Sequence, residues 1–336
     1  MIPTAPLGRS QAAFTRLGLG TWAIGGPWRY GWGPVDDEQS VAAIRRAIDE
    51  GIDWIDTAAV YGLGHSEEIV GRAIAGYAPA DGVFVCTKCG RKTRPNGNPY
   101  GDLRPESIRA ECEASLRRLG VERIDLYQIH WPDRDSGTPL EESWSAMAEL
   151  VDKGKVRWIG VSNFDVGQLE RCEAIRHVDS LQPPLSMLQR DALRTVIPWA
   201  AEHQTGVIVY SPMASGLLTG TFDRARLESL PPDDMRLRRA EFTDPALSRN
   251  LALVERLRAI GRELGFSVAE LAIAWALAQD GVTGAIVGAR RPEQLDGWIG
   301  AAGVEVSAEL LRTIDDAIAE TGAGADEAPA APGAAT

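Results

Sequence analysis

The sequence predicts a single closed (β/α)8 barrel, a TIM barrel, and three observations carry that prediction. Short apolar runs rich in β-branched and aromatic residues alternate with segments of helical periodicity along almost the whole chain. Eight such runs follow one another without a linker-like break, which favours a closed parallel barrel over an open sheet. Nearly every run ends in a polar group, the position at which parallel barrels carry their chemistry.

Taken in order, the strand candidates are 16–22, 52–56, 83–88, 124–130, 156–162, 180–182, 206–211 and 284–289. Between them, Ile108, Cys112, Leu116 and Leu119 share one helical face, as do Leu251, Val254, Leu257 and Ile260. Pro105 opens the first of these helices. Thr138-Pro139-Leu140-Glu141 reads as an N-cap threonine, a proline at the first helical position and a capping-box glutamate. Ser267-Val268-Ala269-Glu270 repeats the capping-box pattern. The link 211–249 is long, charged and broken by Pro231-Pro232, and links of that length are usually functional or mobile. Extra helices close the chain after the eighth strand. Residues 1–320 form the barrel domain. Residues 321–336 are almost wholly Ala, Gly and Pro, with no large apolar side chain to offset ordering entropy, and are expected to be a disordered tail.

Composition narrows the partners. The 336 residues carry 35 Lys and Arg against 47 Asp and Glu, a formal charge of −12, and 44% are hydrophobic. That is globular usage, and its acidic surface repels nucleic-acid phosphates. No apolar stretch approaches the ~20 residues that span a bilayer. The first residues lack the apolar segment of a secretory signal, so a cytoplasmic protein is expected. Four cysteines in such a chain make no disulfide framework.

The strand ends are Asp56, Lys88, His130, Ser162-Asn163, Gln182, Tyr210-Ser211 and Gly288-Ala289-Arg290. One polar end can simply mark where a strand leaves the core. An acid, a lysine and a histidine on adjacent strands make a constellation.

These residues sit in longer motifs. Gly51-Ile-Asp-Trp-Ile-Asp56-Thr-Ala-Ala-Val-Tyr61-Gly, with Ser66-Glu67-Glu68 after it, resembles the first signature of the aldo-keto reductases. Asp125-Leu-Tyr-Gln-Ile-His130 resembles that family's histidine motif, and Ile159-Gly-Val-Ser162-Asn163-Phe164 its nicotinamide-amide motif. The likeness runs from about Leu17 to Glu320 and is greatest to a bacterial branch of general aldehyde reductases. It implies an NADP(H)-dependent enzyme that reduces aldehydes or ketones, with Asp56, Tyr61, Lys88 and His130 as its tetrad.

The residues make chemical sense by themselves. Reducing a carbonyl needs a proton donor for the developing alkoxide, and a tyrosine is a poor acid unless a cation favours its phenolate. Lys88 is placed to supply that charge, with Asp56 holding the ammonium and His130 orienting the substrate oxygen. No Gly-x-Gly-x-x-Gly stands where a Rossmann unit needs it, so loops and helix N-termini must hold the dinucleotide.

The resemblance assigns the cofactor to Thr21, Trp22 and Asp56, to Ser162, Asn163 and Gln182 at the nicotinamide, and to Tyr210, Ser211, Pro212, Met213 and Gly216 in the loop after the seventh strand. It adds Gly288, Ala289, Arg290 and Gln294 as the adenosine-phosphate motif, with Arg236 closing over the cofactor. Arg290 beside Gln294 predicts NADP(H) over NAD(H) through a contact to the 2′-phosphate. The sequence departs from the family pattern at Thr221, where relatives often carry lysine, and at Gly297-Trp298, in place of an acidic-Asn pair.

Trp28, Tyr30 and Trp32 after the first strand, and Trp131 after His130, are expected to wall a substrate pocket. His65 is expected at its rim. Cys86 and Cys89 match Cys-x-x-Cys, but positions three apart on a strand face opposite ways, so no metal or redox pair is expected. Two other readings stand beside the reductase. One is a redox-sensing regulatory subunit of the same fold with little turnover. The other is a metal-dependent barrel hydrolase or isomerase, the hydrolase disfavoured because the first strand ends without a His-x-His pair.

Overall fold

A computed structural model describes residues 1–324 except 11, 29, 78–81 and 233. Eight parallel strands close into a barrel in chain order: Leu17–Gly20, Trp54–Asp56, Phe84–Cys89, Ile124–Ile129, Val156–Ser162, Ser180–Gln182, Gly206–Tyr210 and Gly284–Gly288. All eight candidates are therefore strands, four of them trimmed at their polar ends. Trp22, for instance, already belongs to the 3-10 turn Trp22–Ile24.

Alternation along each strand separates two cores. Outward residues such as Leu19, Tyr127, Ile129, Val161 and Val209 pack under the helices. Inward residues fill the lower barrel with Trp54, Cys86, Leu126, Trp158, Ile208 and Ile286. Gly18 makes the room for that filling, because a Cβ there would lie 2.2 Å from the Trp54 indole. An antiparallel hairpin, Thr4–Pro6 with Ala13–Thr15, plugs the N-terminal mouth. Its Leu7 and Phe14 are wholly buried, and burying each contributes about 1.5–3 kcal/mol. Phe14 stacks on Phe84 at 4.8 Å, and the Trp54 indole N–H donates to the Thr15 carbonyl at 2.8 Å. With that end filled among the described residues, the barrel's cavity lies at the C-terminal ends of the strands.

The helices follow their sequence signals with two exceptions. Pro105–Leu119 buries Ile108, Cys112, Leu116 and Leu119 and ends at Gly120, whose φ of 68° favours glycine. Ser267 and Glu270 form the expected capping box on Val268–Leu277. Thr138 does not cap. The helix Leu140–Asp152 takes Pro139 as its N-cap, and the Thr138 hydroxyl is 2.6 Å from that of Ser136. The link 211–249 is shorter than expected, because the next helix, Ala246–Leu264, starts before Arg249. The link itself holds the short helix Arg224–Glu228 and 3-10 turns at Ala214–Thr219, Met235–Arg238 and Ala240–Phe242.

The closing helix Ala308–Thr321 packs on Ala246–Leu264. The tail boundary at Thr321 is corrected by this helix: Thr321 is its last residue, Ala323 is buried, and Gly324 approaches Leu188 too closely for a side chain. The remainder of that segment, 325–336, lies outside the described residues. Cys86 points into the barrel and Cys89 out of it, 3.9 Å from the Met147 sulfur, and all four cysteines are free. Among the described residues, no helix is long and apolar enough to cross a membrane.

Candidate active site

The open end of the barrel holds a cavity of about 1370 Å³. At its floor lies a buried ion pair. Asp56 ends the second strand and Lys88 nearly ends the third, both pointing inward. Lys88 Nζ donates to Asp56 Oδ1 at 2.6 Å and to the Thr57 carbonyl at 2.8 Å. Gln182 Nε2 donates to Asp56 Oδ2 at 2.9 Å, so both carboxylate oxygens are engaged. A fully buried pair is tolerable only with this degree of satisfaction.

Tyr61 comes to the pair on a tight turn. The Lys88 ammonium is 5.2 Å from the Tyr61 ring centroid, and the His130 ring lies 5.6 Å from that ring at 79°. The turn after Tyr61 is left-handed at Gly62, Leu63 and Gly64, with φ of 59°, 58° and 103°. Glycine is required at 62 for a second reason: a Cβ there would sit 1.8 Å from the Gly25 carbonyl oxygen. The two backbones touch, and the contact fixes where Tyr61 stands.

Burial opposes the Lys88 charge, but Asp56 together with Tyr61 outweighs it and the ammonium pKa is raised. The Tyr61 pKa is also raised, chiefly by burial. Lys88 favours the phenolate through its charge and a hydrogen bond, as expected, without overcoming that burial. His130 is pushed well below the usual imidazole range by burial, then by Lys88 and Arg91, so its ring is neutral. The arrangement therefore presents a neutral phenol and a neutral imidazole at the mouth of a charged floor.

A continuous network ties this corner to the sixth and seventh strands. Tyr210 OH donates to Asn163 Oδ1 at 2.8 Å, and Asn163 Nδ2 donates to the His130 carbonyl and to Ser162 Oγ, each at 3.0 Å. Ser162 in turn donates to the Gln182 carbonyl at 2.8 Å. Asn163, Ser211, Ala214 and Ser215 all have φ between 48° and 64°. Left-handed non-glycine residues carry strain, and outside Leu63 and the helix-ending Gln204 they occur, among the described residues, only in these loops.

Cations dominate the opposite rim. Arg236 is held by Asp234 at 2.7 Å and lies 5.0 Å from the Trp32 ring centroid. Arg290 approaches the same ring at 5.9 Å and donates to the Trp32 carbonyl at 3.2 Å. Gln294 Oε1 accepts from the Arg290 backbone N–H at 2.7 Å. Burial depresses the Arg290 pKa, and the like charges of Arg291, Arg236 and Arg226 add to it. That surplus of cations beside Gly216 and Gly288 fits a dinucleotide's phosphates.

Of the residues expected to bind cofactor, all line this cavity except Thr21. Thr21 is fully buried, donating to the Asp56 carbonyl and accepting from Ser66, which turns it away from the opening. Trp28, Tyr30 and Trp131 line the cavity as expected, with the Trp28 ring 6.3 Å from Tyr61. Trp32 also lines it, but between Arg236 and Arg290 and edge-on to Trp22, on the side assigned to the cofactor rather than the substrate. His65 is not at the rim: it opens the helix His65–Ile74 and pairs with Asp37 at 2.9 Å. Sequence reasoning missed Arg91 and Pro99, which line the cavity from a second hairpin, Arg91–Thr93 with Pro99–Gly101. Its Asn96-Gly97 turn was the available signal.

Comparison with known proteins agrees with this geometry. The Aldo/keto reductase family model matches residues 16–319. The chain is 38% identical over 308 residues to Aldo-keto reductase YhdN of Bacillus subtilis, covering 91% of each chain. It is 34% identical over 328 residues to the NADH-specific methylglyoxal reductase of Escherichia coli, covering 93% of this chain and 98% of that one. The glycerol dehydrogenase AKR11B4 from Gluconobacter oxydans superposes with a TM-score of 0.86 at 39% identity, over 95% of both chains. With the family model spanning the whole barrel, the chain belongs to the aldo/keto reductase family, whose members reduce carbonyls with nicotinamide cofactors.

Proposed function

We propose that the protein is an NADPH-dependent reductase of aldehydes or ketones in which Tyr61 is the general acid. The observation that carries this reading is the buried Lys88–Asp56 pair facing Tyr61, with neutral His130 across from it. A bound nicotinamide dinucleotide supplies the hydride that the carbonyl carbon accepts. Tyr61 gives its phenolic proton to the oxygen as negative charge develops there, and Lys88 stabilises the phenolate left behind. Asp56, itself fixed by Gln182, holds the ammonium in place. His130, lacking charge, donates an N–H to the substrate oxygen and orients the carbonyl. Trp28, Tyr30 and Trp131 wall the reacting centre from water.

The preference for NADPH rests on Arg290 and Arg236, whose crowding a 2′-phosphate relieves. A relative's name specifies NADH, so the cofactor is a property of these side chains and not of the family. Steady-state NADPH oxidation with a panel of aldehydes tests the proposal. Sustained turnover supports it, and a single stoichiometric burst with every aldehyde contradicts it.

A further inference from the structure

Arg91 enters the chemistry above only through its charge on His130, yet it lines the catalytic cavity. It opens the hairpin Arg91–Thr93/Pro99–Gly101 just after the strand that carries Lys88. In the ring of eight strands, that strand lies across the barrel from Gly206–Tyr210, the strand that leads into the cofactor loop. Arg91 therefore stands on the substrate side, apart from Arg236 and Arg290. Its side chain is half-buried, beside Tyr30 and close enough to His130 to help depress the imidazole's pKa.

Its neighbours leave it unsatisfied. Asp135, the carboxylate whose charge acts on it, takes Arg94 at 3.8 Å and accepts the Gly101 backbone N–H at 2.6 Å. Among the described residues, the Arg91 guanidinium has no ion pair and no hydrogen bond. A partly desolvated guanidinium without a partner is costly unless a ligand completes it. Trp28, Tyr30, Pro99 and Trp131, which line the cavity with it, are largely apolar or aromatic, and among the described lining residues Arg91 is the one cation outside the loop 211–239 and Arg290, so the charge offered on this half of the cavity suits an anion.

We infer that Arg91 selects carbonyl substrates that carry an oxyanion, a carboxylate or a phosphate, a short chain away from the carbonyl carbon. The inference rests on the reductase reading for the position of that carbon, near Tyr61 and His130. Arg91 is then a specificity residue: its fork binds the anion while the aromatic walls take the chain between.

The test compares kcat/KM within two matched pairs: succinic semialdehyde against butanal, and glyceraldehyde 3-phosphate against glyceraldehyde. The anionic-to-neutral ratio is the readout, because it cancels any general effect of a substitution on the site. In the wild type at least one ratio exceeds unity, and the pair that does so identifies carboxylate or phosphate. Arg91→Met lowers that ratio about 10- to 100-fold, the range for a charge-assisted hydrogen bond, and Arg91→Lys recovers part of it. Ratios below unity in the wild type, or unchanged in Arg91→Met, overturn the inference. Failure to reduce any of the four aldehydes contradicts the reductase reading instead. Calorimetric binding of 4-hydroxybutyrate against 1-butanol to the protein with NADP then judges Arg91 alone: equal affinity of both for wild type and Arg91→Met overturns its role.

Discussion

Replacing Lys88 by methionine removes one charge of a buried pair, and its consequences follow from one distance and the burial of its partner. The ammonium is 5.2 Å from the Tyr61 ring centroid. Two unit charges at that separation, in an effective dielectric of ~20, interact by about 3 kcal/mol. A transition state with full phenolate character loses that stabilisation, on the order of 10²-fold in rate, and one with partial character loses less. The same substitution strands Asp56, only 3% exposed, with Gln182 as its remaining side-chain donor. An uncompensated buried charge costs about 3–5 kcal/mol of stability. Activity and stability can be separated by adding Asp56→Asn, which neutralises the stranded carboxylate. The double variant should regain most of the melting temperature and none of the rate. The assay is single-turnover NADPH oxidation under saturating cofactor and aldehyde, beside thermal unfolding of both variants. A Lys88→Met enzyme within threefold of the wild-type single-turnover rate would refute the role given to the ammonium.

Three other outcomes follow from neighbouring groups. Arg290→Ala should reduce the kcat/KM ratio of NADPH to NADH, and an unchanged ratio would remove Arg290 from the phosphate site. Burial, Lys88 and Arg91 keep His130 neutral, so kcat/KM between pH 5.5 and 8 should show no limb from its titration. A limb near pH 6.5 that vanishes in His130→Gln would contradict that electrostatic picture. Glu111, which accepts the Gly90 N–H at 3.2 Å, is pushed from 4.5 up to about 7, chiefly by burial. Its folded pKa exceeds its unfolded one, so its contribution is complete below pH 4.5 and is lost as pH rises through 7, on the order of 3 kcal/mol in all. Wild type should therefore lose more stability between pH 5 and pH 8 than Glu111→Gln does, as measured by denaturant unfolding at the two pH values.

What the sequence made legible was whatever depends on alternation and strand ends. Inward and outward positions of the strands, the opposite faces of Cys86 and Cys89, and the inward polar ends Asp56 and Lys88 all follow from a period of two. Contacts between distant loops left no such trace. Nothing local distinguishes Trp32 from Trp28, yet Arg236 and Arg290 draw Trp32 to the other side of the cavity. Thr138 had the right spacing for a cap, but Ser136 and Asp133 compete for its polar atoms within the same turn. The tail boundary missed because small residues such as Ala323 and Gly324 pack precisely where no large side chain fits, against Leu188.

The central claim is that Tyr61 delivers the proton and contributes little to holding the cofactor. Tyr61→Phe keeps the ring between Trp28 and His130 and removes only the hydroxyl. Single-turnover NADPH oxidation by this variant, with cofactor affinity measured separately by fluorescence titration, is the most direct test. The account predicts a rate lower by ~10² to 10⁴-fold with NADPH affinity nearly unchanged. A Tyr61→Phe enzyme that oxidises NADPH at close to the wild-type single-turnover rate would contradict it.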